Sequence, residues 1–336
     1  MMKNSVFLFC LFFLWFLFGC NQSNDTSKSN VETLEFAVST ISIPLDSLSL
    51  KSYNLLSRFD NDIYGYNRLT HSIDVFEPDN DSFYHIALDK EGVNGVMPGI
   101  NGLYIHSEDS LFISNDSEVY LITKQGEVKN KISLIELSVQ LQLMLMKNYS
   151  IATIELYHNK NRNSIFCLAM KPLSASEFYI CEIEMNSRKC SYYKMQIPSY
   201  FKENNGEFGW KLLPNITPTD SIVYYNYPAV SSIYSFHLYT GEEREYQADS
   251  KYVKNHSEPL APNNTFQRLE GHKITNSHFF GLQYDPFKRF IYRLQVGASD
   301  YNVNNDIVKA YYNKNLYLSV FDEKMNVLGE IELPSK

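Results

Sequence analysis

One recurring unit constrains this chain more than any other feature. Residues 220–249, DSIVYYNYPAVSSIYSFHLYTGEEREYQAD, read as three short strands over 221–226, 232–238 and 244–247. A loop holding Pro228 joins the first two strands. Tyr239-Thr240-Gly241-Glu242 turns the second into the third, with Gly241 free to take a positive φ. The same order recurs over residues 62–89, 109–134, 163–198 and 288–334. Each unit opens with a strand after Asp, Asn or another charged residue. A second strand runs into a turn (77–80, 123–126, 184–187 and 322–325), and a third carries the chain out.

The composition agrees with strands. The chain holds 25 Tyr and 22 Phe in 336 residues, a loading that suits pleated, half-buried surfaces. A single meandering sheet of this kind cannot bury both of its faces, so neighbouring units must stack. The expected fold class is all-β, a β-propeller of five to six blades. The alternative is a β-sandwich, which shares the hairpins but not the repeated internal order.

Residues 1–19 read as a secretion signal, with Lys3 at the positive start and an unbroken apolar run over 6–18. That run is too short to anchor in a bilayer. It ends Leu17-Phe18-Gly19-Cys20, which resembles the lipobox of bacterial lipoproteins, although Phe18 departs from the usual small or aliphatic residue. The resemblance implies that Cys20 is acylated and that the chain meets the membrane through a lipid anchor. Residues 20–30 carry nothing apolar to bury after Cys20 and read as a flexible tether. Surface-exported lipoproteins of some Bacteroidetes carry an acidic cluster there. Residues 21–30 hold only Asp25, so the expected location is an outer-membrane lipoprotein on the periplasmic side. Residues 31–336 then form one propeller domain.

Within it, Leu34, Phe36 and Val38, then Ile41, Ile43 and Leu45, alternate as two strands that would close the ring with the last blade. Residues 91–101 (EGVNGVMPGIN) are a Gly-rich link between units; no Lys-Ser/Thr follows, so this is no phosphate loop. Residues 135–146 fit a helix or a strand by period, and their Leu, Met and Gln content favours a helix. Residues 198–215 and 251–278 are long connections, and the second is expected to form a lid over one face.

Glu91-Gly92-Val93-Asn94-Gly95, Tyr284-Asp285-Pro286 and Phe290-Ile291-Tyr292-Arg293 resemble patterns in a group of Bacteroidetes lipoproteins of unknown function. The likeness runs over residues 55–333. It implies a six-bladed, TolB-like propeller, which favours six blades over five. Val93 stands where that group usually has Pro, and the chain ends soon after Leu333. The resemblance imports no activity.

The chemistry is sparse. A net charge of −8 with scattered Lys and Arg argues against nucleic acid. Cys181 and Cys190 flank a hairpin and are a candidate disulfide, with buried free thiols for these and Cys167 as the alternative. His256 and His272, with Asp285, are candidate ligand or lid residues, but their spacing matches no metal motif, and no metal or cofactor is expected. Arg289 and Arg293 read as one face of a strand, suited either to gripping an anion or to pairing with acids of the neighbouring blade. Ser47, Ser110 and Ser221 each follow Asp and precede an apolar residue, a pattern resembling the O-glycosylation sequon of exported Bacteroidetes proteins and equally a turn entering a strand. No nucleophile elbow is present.

The function expected is non-enzymatic: a cell-envelope binding or scaffold module for a protein, peptide or glycan. One alternative is a propeller hydrolase or lyase whose site converges from several blades. Another is a ligand-sensing lipoprotein. A central funnel filled by Tyr and Phe favours the scaffold; a convergent cluster of Asp, Glu, His and Arg favours the enzyme.

Overall fold

The computed structural model describes residues 37, 42–43, 45–141, 144–146, 156–171, 177–204, 207–260, 265–301, 310 and 313–334. The signal segment, Cys20 and the tether lie outside these residues, as do Leu34, Phe36, Val38 and Ile41 of the proposed closing strands. Ile43 and Leu45 are described and are not in a strand; Leu45 is exposed.

The described residues form five antiparallel sheets in a propeller arrangement. Blade 1 is β1 (Leu56–Phe59), β2 (Asp62–Asn67), β3 (Ser72–Glu77) and β4 (Ser82–Ala87). Blade 2 is β5 (Gly102–Ser107), β6 (Ser110–Ser114), β7 (Glu118–Ile122) and β8 (Val128–Ser133). Blade 3 is β10 (Tyr157–Asn159), β11 (Ser164–Met170), β12 (Phe178–Glu184) and β13 (Cys190–Lys194). Blade 4 is β14 (Asn215–Pro218), β15 (Ile222–Asn226), β16 (Ile233–His237) and β17 (Glu243–Tyr246). Blade 5 is β18 (His278–Asp285), β19 (Phe290–Val296), β20 (Leu316–Asp322) and β21 (Val327–Glu332). The ambiguous stretch is both things in turn: helix α1 (Leu134–Leu141), then β9 (Met144–Met146), which pairs with β11 beyond the end of β10.

Every repeat seen in the sequence is the outer three strands of a blade. The fourth strand precedes each unit and meets its counterparts in neighbouring blades, as β1 meets β5 and β14 meets β18, while second strands also reach across, as β15 does to β18 and β11 to β14. Three of these inner strands are only three or four residues long, too short to show a period. Five blades stand in the described residues, within the five to six expected; a sixth is not among them.

The blades stack through faces of alternating residues. Leu111 and Ile113 of β6 join an apolar cluster with Ile73 and Val75 of blade 1. Phe112, between them, joins a different cluster with Ile165 and Cys167 of blade 3. Phe166 and Leu168, the alternate residues of β11, pack instead on Val223 and Tyr225 of blade 4. Tyr224 then turns to Leu282, Ile291 and Phe321 of blade 5. The period-two geometry of a strand thus gives each blade two cores. Fully burying one such side chain contributes roughly 1.5–3 kcal/mol, and each interface holds many.

Turns obey local rules. Gly241 takes φ 71°, as its place in the β16–β17 turn requires. Gly126 takes φ 81°, and a Cβ there would meet the carbonyl oxygen of Ala87 at 2.3 Å, so blade 2 approaches blade 1 closely only through glycine.

The segment before blade 1 is held by a polar network. Buried Asp74 accepts bonds from Tyr53 Oη (2.5 Å), Asn67 Nδ2 (2.9 Å) and Ser72 Oγ (2.9 Å), and its Oδ1 lies 2.7 Å from His85 Nδ1. The other ring nitrogen of His85 faces Asp46 at 3.3 Å. Burial opposes a charge on His85, but the two carboxylates outweigh it and raise the imidazole above its ordinary value.

Blades 4 and 5 are pinned by Arg293. Its guanidinium donates to Ser231 O (2.5 Å) and Ala248 O (2.6 Å) of blade 4 and sits over the rings of Phe279 and Phe321. Burial pushes its pKa down to about 9. Replacing it, as in Arg293→Ala, leaves two buried carbonyls without donors. The expected loss is about 2–4 kcal/mol in denaturant unfolding, whereas Arg289→Ala, at an exposed turn, should shift stability by less than about 1 kcal/mol.

Candidate ligand cleft in the cap

Two long connections pack against each other and form a cap. The first joins blades 3 and 4 and holds α2 (Ser199–Glu203) and a 3-10 turn over Gly209–Leu212. The second joins blades 4 and 5 and holds α3 (Phe266–Thr275). Leu260 N donates to Glu207 O at 2.5 Å, and Tyr200 Oη donates to Ser257 O at 3.1 Å. Gly209, at φ 57°, lets the turn approach Leu260 and Leu269.

Thr265 caps α3, its hydroxyl accepting from Arg268 N at 3.4 Å. The other end of α3 is closed by lysines. Lys314 Nζ donates to Lys273 O (2.8 Å) and Asn276 O (2.9 Å). Lys211 Nζ donates to Ser277 O (2.5 Å) and Ser257 Oγ (2.9 Å). Cations suit the carbonyl end of a helix, which explains two ammonium groups held by carbonyls. Burial lowers both: Lys314 to about 8, and Lys211 well below its ordinary value with further pressure from Lys314 and Lys273. Lys211 is fully buried and its motif was invisible in the sequence, since nothing marks one Lys in a loop as an interior residue.

An open cleft of about 690 Å³ lies beside this seam. Glu258, Gln267, Arg268, His272, Asn276 and Tyr301 line it with Leu260. His272 Nε2 bonds to Glu258 O at 2.6 Å, and burial lowers its pKa, which keeps the ring neutral. Asn276 is engaged by Glu258 N and His272 O, so the cleft offers the Gln267 amide, the Arg268 guanidinium and the Tyr301 phenol beside Pro259 and Leu260, a lining suited to a polar ligand.

The other residues singled out from sequence are scattered. His256 stacks near Tyr200 (4.8 Å between centroids) and bridges Val230. Asp285 is at the far end of β18 from His278, about 23 Å away at 3.3 Å per residue; its Oδ1 accepts Phe287 N and Lys288 N and builds the turn. The structure therefore does not gather His256, His272 and Asp285. Among the described residues no group of three or more His, Cys, Asp or Glu is placed to hold a metal ion. Arg289 and Arg293 do not share a face: Arg289 is exposed at φ 57° and pairs with Glu323 of its own blade, while Arg293 is interior. The strand begins only at Phe290, which breaks the assumed spacing.

Cys181 and Cys190 are not directly opposed across the hairpin, although their thiols lie within hydrogen-bonding reach on one face. The partner of Cys181 on β13 is Tyr192, that of Cys190 is Ile183, and Cys181 lies opposite Cys167 on β11. All three are free thiols, and Cys190 is half-buried. Ser47 is exposed in a turn where Asp46 Oδ1 accepts Leu48 N and Ser49 N. Ser110 and Ser221 are half-exposed at strand entries.

Between the inner strands, the rings of Tyr104 and Tyr157 lie 5.5 Å apart, and Tyr157 Oη donates to Asp220 Oδ1 at 2.9 Å. Burial pushes Tyr104 up to about 12.

A sequence family described as a domain of unknown function, DUF4221, matches residues 25–332. Among solved structures, a DUF4221 member from Bacteroides vulgatus is similar over 87% of this chain and 84% of its own, at 15% identity and a TM-score of 0.67. A protein described as exported, from Bacteroides fragilis, is similar over 88% of this chain and 75% of its own, at 9% identity and a TM-score of 0.50. At these identities the likeness is one of fold. No curated protein sequence shows significant similarity to the chain.

The lysine seam carries a pH signature. Lys314 titrates near 8 in the folded chain and near 10.5 unfolded, so between these values the unfolded state holds more protons and stability rises with pH. From pH 8 to 9.5 the melting temperature of Lys314→Met should fall further, or rise less, than that of the wild type by differential scanning calorimetry.

Proposed function

The chain belongs to the DUF4221 family, and from that premise we propose that it is a cell-envelope lipoprotein acting as a binding or scaffold module for a protein, peptide or glycan. The observation that carries the reading is the cap cleft, where Gln267, Arg268 and Tyr301 stand beside Pro259 and Leu260. The anchor rests on Cys20 and the segment before it. Export finds support in the fold shared with the Bacteroides fragilis protein described as exported. Attachment on the periplasmic side and the six-bladed, TolB-like form belong to the same proposal.

One set of preparations tests it. Cys20→Ser should move the protein from the membrane to the soluble fraction and abolish incorporation of labelled palmitate; unchanged fractionation refutes the anchor. The chain lacking residues 1–28 is then melted against cell-wall peptides and envelope glycans. A true ligand at a hundredfold excess over its Kd adds about 2.7 kcal/mol of stability, and the gain disappears in Arg268→Ala with Gln267→Ala. A shift that survives both substitutions places the site elsewhere.

A further inference from the structure

Two histidines from different blades face each other across the second interface. His106 is near the end of β5 and His158 is in the middle of β10. Their Nδ1 atoms are 3.2 Å apart, with ring centroids at 4.4 Å and the planes nearly perpendicular. Both rings are half-buried. Phe112, almost fully buried, stacks on His158 at 5.0 Å and meets His106 edge-on at 6.4 Å, so one apolar wall fixes both.

We propose that His106 and His158 form a site for a borderline divalent transition-metal ion of the Zn²⁺, Ni²⁺ or Cu²⁺ class, bound through the two Nδ1 atoms. Imidazole suits these ions. Two nitrogens on one tetrahedral ion, each at 2.0–2.1 Å, stand about 3.3 Å apart, and the observed separation is 3.2 Å, so turning the two rings towards a common point suffices.

The outer side of His158 has the support that a ligating imidazole needs. Its Nε2 lies 3.4 Å from Asn163 Oδ1. Asn163 sits at φ 47° in the β10–β11 turn, a conformation Asn tolerates better than most residues. An Nε2–H donated to that oxygen leaves Nδ1 as the lone-pair atom, aimed at His106.

The exchange balances simply. In the metal-free pair one Nδ1 carries the hydrogen that it shares with the other. On binding, that proton moves to Nε2 of the same ring, the aqua ion gives up two waters, and no net proton is released. The protein supplies two ligands, so the remaining positions stay open to solvent or to a ligand's carboxylate. The rings' partial exposure allows this. The site is separate from the cap cleft and does not rest on the binding role proposed above.

The test uses the untagged chain without chelators. Cu²⁺ electron paramagnetic resonance should show coupling to two imidazole nitrogens, and calorimetric titration with Zn²⁺ should reach one equivalent. His106→Gln and His158→Gln should each abolish the saturable site. Asn163→Ala keeps both imidazoles and should weaken binding roughly tenfold, and His256→Gln should change nothing. Calorimetric binding that persists in both His106→Gln and His158→Gln overturns the proposal. Should either of those variants fail to fold, the wild-type spectrum decides: coupling to one nitrogen or none overturns it.

Discussion

Each blade has two apolar faces and no way to cover either alone. Everything else in this chain follows from that constraint. Successive residues of a strand point to opposite sides, so Leu111 and Ile113 belong to one interface and Phe112 to the next. The same division runs through β11 and β15. Aromatic side chains bury the most area per residue, which accounts for the chain's loading in Tyr and Phe. It also leaves little room for chemistry on the sheets. Functional groups are pushed to the inner strands and to the connections.

Four charged residues of the interior, Arg293, Lys211, Lys314 and Asp74, are received by backbone carbonyls or dense hydrogen bonding. Arg293 is held by two carbonyls of the neighbouring blade and by two aromatic faces. Lys211 and Lys314 close the carbonyl end of α3. Asp74 gathers donors from β2, β3 and the segment before blade 1. A buried charge without such partners costs several kcal/mol, so these contacts specify how the cap, the first blade and the last blade sit.

The outer strands were legible because their alternation is long enough to read. Strands β15, β16 and β17 begin or end within one residue of the sequence reading. The inner strands were not, since β10 has three residues and β14 has four, including Pro218. The two long connections were visible as loops, but their contents were not. Lys211 acquires its role from Ser257 and Ser277, far along the chain. His106 and His158 lie 52 residues apart and share no motif. Asp285 drew notice beside Pro286, and its work proved to be a turn. The spacing of Arg289 and Arg293 suggested one face, but a left-handed turn residue separates their fates. Local patterns thus report hairpins, while convergence across blades leaves no trace in a single sequence.

The division of each strand between two interfaces is tested most directly by a double-mutant cycle at the blade 3–blade 4 seam. Tyr193 of β13 and Phe236 of β16 have ring centroids 4.6 Å apart. The neighbouring Tyr192 meets Tyr179 edge-on instead, at 5.7 Å between centroids, on the opposite face. Denaturant unfolding of Tyr193→Ala, Phe236→Ala and the double variant should give a coupling of about 0.5–1.5 kcal/mol. The same cycle with Tyr192 should give none beyond about 0.3–0.5 kcal/mol. Coupling of Phe236 to Tyr192, and not to Tyr193, would contradict the arrangement of faces on which this account rests.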